Sequence, residues 1–265
     1  MRNGLMLLRA CSFWSAAFGF IRHTPIYATS WGTASQLGAS MKNGDETESS
    51  LRILALHGSE GRADSLQTLL EGYLRHVNRE ITTIQAPFSK GSGYAWWQLK
   101  PGERSFTATT YPGYEESATL VTQTLHKNEF DVVFGHSQGA ILLVAMLAED
   151  RLASSSMRRF ILNGVSWPNP FSEQLFSSVP PTSLDEDSKN LEFLQIIGAQ
   201  DRINPPEQAV QVEEALKRRG CKTNQLHYPG GHSIPSDERI WNLVADWLAC
   251  KSLSPVLFVE PESVS

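Results

Sequence analysis

The chain reads as an α/β protein built on a doubly wound, mostly parallel sheet flanked by helices, and three observations predict this. Short apolar runs suited to buried strands, at 51–56, 81–85, 130–134, 160–162 and 191–198, alternate with segments of helical period. The links between them are short, as stacked strand–helix–strand units require. The 265 residues are 41% hydrophobic and 19% charged, enough apolar material to bury one core.

Taken in order, the run 51–56 is the first strand, and it ends in the turn His57-Gly58-Ser59-Glu60-Gly61. Leu66, Leu69, Leu70, Tyr73, Leu74 and Val77 follow a 3.6-residue period and mark the first crossover helix. After the strand at 81–85, a long loop carries Tyr94, Trp96 and Trp97 and leads to a helix beginning near Tyr114. Phe130, Val132, Val133 and Phe134 form a buried strand, and residues 140–148 are an unbroken apolar helix. A second insertion, 165–190, follows the strand at 160–162. It holds Trp167, Pro168, Pro170, Phe171, Leu175 and Phe176. Loops this long are usually functional or unstructured, and the aromatic content favours a short lid. Pro205, Pro206 and Glu207 open a helix marked by Ala209, Val212, Ala215 and Leu216, with Gly220 as its stop.

Chemistry enters between the strand at 130–134 and the helix at 140–148. Gly135-His136-Ser137-Gln138-Gly139 is a G-x-S-x-G sequence in a strand–turn–helix setting. Glycines on either side remove the Cβ atoms that would collide across so tight a turn, leaving the Ser137 hydroxyl projecting. A serine hydroxyl is a weak nucleophile at neutral pH and needs a base. Asp201 stands just beyond the strand 191–198, and His232 lies in the loop Pro229-Gly230-Gly231-His232 after a strand through Leu226. The order Ser137, Asp201, His232 is that of the α/β-hydrolase fold. Asp185, Asp187 and Asp237 are the other carboxylates from which the acid could come. In such a fold the turn after the first strand and the residue after the nucleophile donate two backbone N–H groups to an oxyanion hole, here Ser59 and Gln138. His57 reads as a structural member of its turn. Trp96, Trp97, Trp167 and His136 are the candidate walls of an apolar acyl groove, since such pockets are mostly apolar concavities. For the tryptophans, anchoring of the loop on the core is the competing role.

The chain resembles the FSH family of serine hydrolases within the α/β-hydrolase superfamily. The resemblance rests on LALHG at 54–58, YAWW at 94–97, YPGYEES at 111–117 and GHSQGA at 135–140. It continues with IGAQD at 197–201, PP at 205–206 and HYPGGHSIP at 227–235. It covers about 51–250. Two positions depart from the family pattern: His136 stands where Phe is commoner, and the oxyanion turn reads Gly-Ser-Glu-Gly instead of an aromatic or aliphatic version. The resemblance implies esterase activity on carboxylic esters, with thioesters cleaved by some relatives. The nearest rivals are an acyl-protein thioesterase or carboxylesterase, and a non-catalytic binder on the same fold. YAWW and YPGYEES argue against the former, and the intact catalytic set argues against the latter.

Composition excludes other classes. A net charge of −5 without a basic cluster gives no support for nucleic acid binding. The absence of G-x-G-x-x-G after a strand and of a Walker A sequence indicates no nucleotide cofactor. His23, His57, His76, His126, His136, His227 and His232 form no metal-ligand spacing, so no metal is expected. Cys11, Cys221 and Cys250 are an odd set, as in proteins of reducing compartments. Residues 1–44 contain Arg2, Arg9, Arg22 and Lys42 and no acid, the composition of a mitochondrial or plastid transit peptide or else of an unstructured extension. Arg9 interrupts the apolar run Leu5–Leu8, so no membrane span of usual length is expected there. A polar linker at 45–50, a hydrolase domain at 51–250 and a tail at 251–265 complete the expected organisation.

Overall fold

A computed structural model describes residues 50–152, 157–177, 191–250 and 253–260. The presequence expected at 1–44, all but the end of the linker, and the 178–190 part of the second insertion lie outside the described residues. A seven-stranded sheet forms the frame. Its strands are β1 (Leu51–Leu56), β2 (Arg79–Ile84), β5 (Val132–His136), β6 (Arg159–Asn163), β7 (Glu192–Gly198), β8 (Lys222–Tyr228) and β9 (Val256–Phe258). They lie in the order β2-β1-β5-β6-β7-β8-β9, and every adjacent pair is parallel. The strand order reverses direction between β1 and β5. That places the carboxyl ends of both strands at a crevice, where ligands of open α/β sheets bind.

Strand alternation assigns the two faces. In β1, Leu54 and Leu56 join one core cluster, while Ile53 and Ala55 join the other. The first cluster is covered by α2 (Tyr114–Lys127), α3 (Gln138–Ala148) and α5 (Pro206–Arg218), and the second by α1 (Ala63–Tyr73) and α6 (Glu238–Leu248). Helix α3 is buried at every residue, which explains why its sequence is apolar all round instead of striped. A short α4 (Ser172–Phe176) follows a single 3-10 turn at 169–171. Arg219 donates to Gln174 O on α4, and the Arg218 guanidinium lies 5.6 Å from the Phe176 ring, so the described half of the second insertion is anchored to α5.

Two expectations need correction. The fold does not end at 250: β9 adds a parallel edge strand beside β8, held by Gln225 N to Pro255 O and Val259 N to His227 O. Four apolar residues between prolines are too short a pattern to register as a strand, and their partner is remote in sequence. The loop carrying the tryptophans is also partly regular. Strands β3 (Phe88–Lys90) and β4 (Gly93–Ala95) pair as an antiparallel hairpin, and Trp96 follows directly.

Candidate active site

Ser137 sits at the junction of β5 and α3 with φ 50° and ψ −115°, a conformation side chains rarely adopt. Hydrogen bonds on both sides hold it there: Ser137 N donates to Asn163 O at 2.8 Å, and Ile141 N donates to Ser137 O at 3.0 Å. The close approach of α3 to β1 explains Gly139, where a Cβ would lie 2.5 Å from Leu56 O. A strained residue over-determined by its neighbours is a common feature of functional sites.

The structure brings the two partners to this serine. His232 Nε2 lies 2.7 Å from Ser137 Oγ, and His232 Nδ1 lies 2.7 Å from Asp201 Oδ2. Asp201 is buried at the tip of β7 and serves as a turn residue as well, because its Oδ1 accepts from Ile203 N and Asn204 N. Burial pushes its carboxyl upward, but the hydrogen bonds from His232, Asn204 and Ile203 outweigh this and hold it below the usual carboxylate value. The Tyr228 hydroxyl, 2.7 Å from both Gly231 O and Ser233 O, brackets the loop that carries His232. Asp237 is engaged elsewhere, accepting from Arg239 N at the start of α6, while 185 and 187 lie outside the described residues.

The turn after β1 reaches the same place. A Cβ at Gly58 would lie 3.1 Å from Ser137 Cβ, so the residue before Ser59 packs directly against the nucleophile. Gln138 is the first residue of α3, and N–H groups in that first turn have no partner inside the helix. His57 takes no part in the reaction centre. Its Nδ1 donates to Gly58 O at 2.7 Å, and its Nε2 accepts from Ala86 N at 3.1 Å and faces Gln85 Nε2 at 2.7 Å. Burial lowers its pKa, consistent with a neutral ring that shapes the turn.

With the geometry in place, likeness to known proteins becomes informative. A sequence model of the serine hydrolase (FSH1) family matches residues 47–243. The chain belongs to the serine hydrolase (FSH1) family. An esterase of Anopheles gambiae is 24% identical over 218 residues, covering 76% of this chain and 77% of the esterase. Among solved structures, the carboxylesterase of Bacillus cereus superposes with a TM-score of 0.56 at 14% identity, covering 76% of this chain and 88% of that one. The acyl-protein thioesterase 2 of Zea mays gives a TM-score of 0.56 at 18% identity, covering 77% and 95% respectively. These structures share the α/β-hydrolase fold with this FSH1-family chain.

The expected substrate walls fare unevenly in this family member. Trp96 and Trp97 are each 0% exposed and Trp167 is 3% exposed, so none offers surface to an acyl chain. The physical reason is packing and hydrogen bonding against residues outside each tryptophan's own tetrapeptide or turn, which the fold closes over the rings. Trp97 stacks on Tyr111 at 4.3 Å, the Trp96 indole donates to His57 O, and the Trp167 indole donates to Ser172 Oγ. They are anchors of the core and its loops. His136 is partly buried and stands beside the reaction centre, its ring centroid 5.4 Å from that of His232. Its Nδ1 donates to Asn163 Oδ1 at 2.8 Å. Burial, with the neighbouring His232 second, lowers its pKa to about 4, so the ring is neutral near physiological pH.

Sequence reasoning missed several residues that shape the FSH1-family site. Asn163 meets Ser137 with its carbonyl and His136 with its side chain, and Asn204 Nδ2 donates to Gly164 O on the adjoining loop. Lys90 donates to Ser59 Oγ at 2.9 Å from the β3–β4 hairpin. Leu162-Asn163-Gly164 at a strand tip was a usable signal for Asn163. Nothing local marks Lys90. Among the described residues no group of His, Cys, Asp and Glu side chains is arranged to hold a metal, and no helix is long and apolar enough to cross a membrane.

Proposed function

We propose that this serine hydrolase cleaves small-molecule carboxylic esters, with acyl thioesters as a second substrate class, through an acyl-enzyme on Ser137. His232 Nε2 takes the hydroxyl proton as Ser137 Oγ attacks the acyl carbon, then passes it to the departing alcohol or thiol. Asp201 holds the His232 tautomer and stabilises the imidazolium. The N–H groups of Ser59 and Gln138 receive the oxyanion, and removing one such donor typically costs about 3–4 kcal/mol of barrier. Water, activated by His232, releases the acid.

The observation that carries this reading is the unbroken line from Asp201 Oδ2 through His232 to Ser137 Oγ, with both contacts at 2.7 Å. Non-catalytic binding would not need that line. His136 is the substrate contact within the reading, since it is the candidate wall that retains exposed surface next to His232. A fluorophosphonate probe should label the wild-type protein and not Ser137→Ala. Labelling retained by the variant would assign the nucleophile elsewhere. Turnover of p-nitrophenyl esters and acyl-thioesters of graded length then ranks the two substrate classes.

Residues 1–44 complete the proposal as an organelle-targeting segment carrying no catalytic part. Fused to a fluorescent reporter they should direct it to mitochondria or plastids. A diffuse cytosolic signal would instead mark a plain extension.

A further inference from the structure

The turn that holds Ser59 and the side chain of Gln138 are fastened to the same four residues, 94–97. Tyr94 N donates to Gly61 O at 2.9 Å, at the far end of the turn that holds Ser59. The Trp96 indole Nε1 donates to His57 O at 2.7 Å, at the near end of that turn. The turn is therefore gripped on both sides of Ser59. The hairpin also comes close enough that a Cβ at Gly93 would collide with the Glu60 carbonyl.

The second donor is gripped through its own side chain. Gln138 Oε1 accepts from Trp96 N at 2.8 Å, and Gln138 Nε2 donates to Trp97 O at 2.9 Å. The orientation of this amide is not arbitrary, since a backbone N–H can only donate and a backbone C=O can only accept. Ser117 Oγ, from α2, donates to Trp96 O and closes the set. Trp96 and Ser117 are 0% exposed, His57 2% and Gln138 3%. A buried amide is costly unless fully bonded, and an apolar side chain would fill the same volume without that penalty. The polar groups here converge on Gln138 and on His57 and Gly61, the two ends of the turn that holds Ser59.

The two donors belong to loops on neighbouring strands, β1 and β5. Register in the sheet brings those loops together but leaves their relative height and tilt open. Oxyanion stabilisation requires both N–H groups about 2.7–3.1 Å from one developing charge, and sites of this kind tolerate displacements of only about 0.5 Å. Residues 94–97 span the gap, because one indole and three backbone groups of the same strap, Tyr94 N, Trp96 N and Trp97 O, hold both loops.

We infer that the 94–97 strap is the frame of the oxyanion hole, with Trp96 and the Gln138 side chain as positioning residues that set the separation of the Ser59 and Gln138 N–H groups. This rests on the proposed hydrolase mechanism and deepens it. Trp96 acts through His57 and Gln138 and has no contact with the acyl group.

The test uses the full-length protein and two variants. Trp96→Phe keeps an aromatic ring but removes the indole donor. Gln138→Met keeps the backbone N–H and the side-chain length but removes both amide bonds. Each should lower kcat for p-nitrophenyl esters by about tenfold to a hundredfold, short of the full loss of one donor, with KM changed less than about twofold. The inhibition constant of an alkyl boronic acid, whose tetrahedral adduct puts an oxygen in the hole, should weaken by the same factor as kcat/KM. The factor should be the same for acetate and longer acyl esters. Folded variants, checked by circular dichroism and melting, with unchanged kcat and boronate affinity would overturn the frame. So would a loss confined to KM that grows with acyl length, which would make Trp96 a pocket wall. If Trp96→Phe does not fold, Gln138→Met decides alone. Wild-type turnover and fluorophosphonate labelling are measured on the same preparation. Inactive wild type therefore overturns the hydrolase reading and the frame together, whereas active wild type with unaffected variants overturns the frame only.

Discussion

Asp201 meets His232 with one carboxylate oxygen and its own backbone turn with the other. Oδ2 lies 2.7 Å from His232 Nδ1, while Oδ1 accepts from Ile203 N at 2.8 Å and Asn204 N at 2.9 Å. The carboxylate plane is thus set by β7 and its turn, independently of the histidine. The loop bearing His232 closes on an acceptor already aimed.

That division of labour determines what an amide would do. In Asp201→Asn the two backbone N–H groups would keep the amide oxygen, turning Nδ2 towards His232 Nδ1. A donor there forces the proton onto Nε2, the tautomer that cannot accept from Ser137. Turnover should fall by about four orders of magnitude with the fold retained. Steady-state kcat on a p-nitrophenyl ester checks this, and a loss of less than tenfold would remove Asp201 from the acid role.

The backbone of Ser137 stores strain that its replacement can reveal. At φ 50° a non-glycine residue costs on the order of 1–3 kcal/mol, and glycine relieves it at the expense of a more flexible unfolded chain. Ser137→Gly should therefore be more stable than Ser137→Ala by about 1 kcal/mol. Urea denaturation of the two inactive variants measures the difference, and an equal or reversed order would argue against strain at the elbow.

His136 should make the fold acid-sensitive. Its folded pKa, lowered to about 4 from 6.5, means that between those values the unfolded chain binds the proton more readily. The stability it contributes is fully present above pH 6.5 and is lost as pH falls towards 4. His57 and His227, also lowered by burial, act in the same direction. His136→Phe should flatten the decline in denaturation midpoint between pH 7 and pH 4.5 without abolishing it. An unaltered slope would place the acid sensitivity on other groups.

Trp97 separates an anchor from a pocket wall. Removing a buried indole stacked on Tyr111 should cost about 3–5 kcal/mol of stability in Trp97→Ala. For whatever protein remains folded, kcat/KM should change by one common factor from acetate to long acyl esters. A loss rising with each added methylene would return Trp97 to the substrate groove.

The positions legible in advance were those whose signal is local. Gly135 and Gly139 around Ser137, the apolar strand before them and the apolar helix after them specify a tight strand–turn–helix reversal wherever the chain folds. Pro206 at the start of α5 and the apolar run of β1 are likewise short-range. Asp201 and His232 were legible because each follows a strand, and parallel strands in one sheet deliver their carboxyl ends to one edge. Lys90 and the Gln138 side-chain bonds left no such trace, since each depends on a partner brought near by the fold alone.

By itself the sequence determined the main core strands and helices from β1 to β8, the nucleophile turn, and the chain order of serine, acid and base, because hydrophobic period and glycine placement act over a few residues. Only the tertiary structure decided that Trp96, Trp97 and Trp167 face inward, that Val256–Phe258 joins the sheet, and that residues 94–97 bind both the turn after β1 and Gln138. An aromatic side chain carries the same apolar area whether it lines a groove or fills a core. Burial is settled by the neighbours that close over it, and those neighbours, such as Tyr111 against Trp97 and His57 against Trp96, come from other parts of the chain.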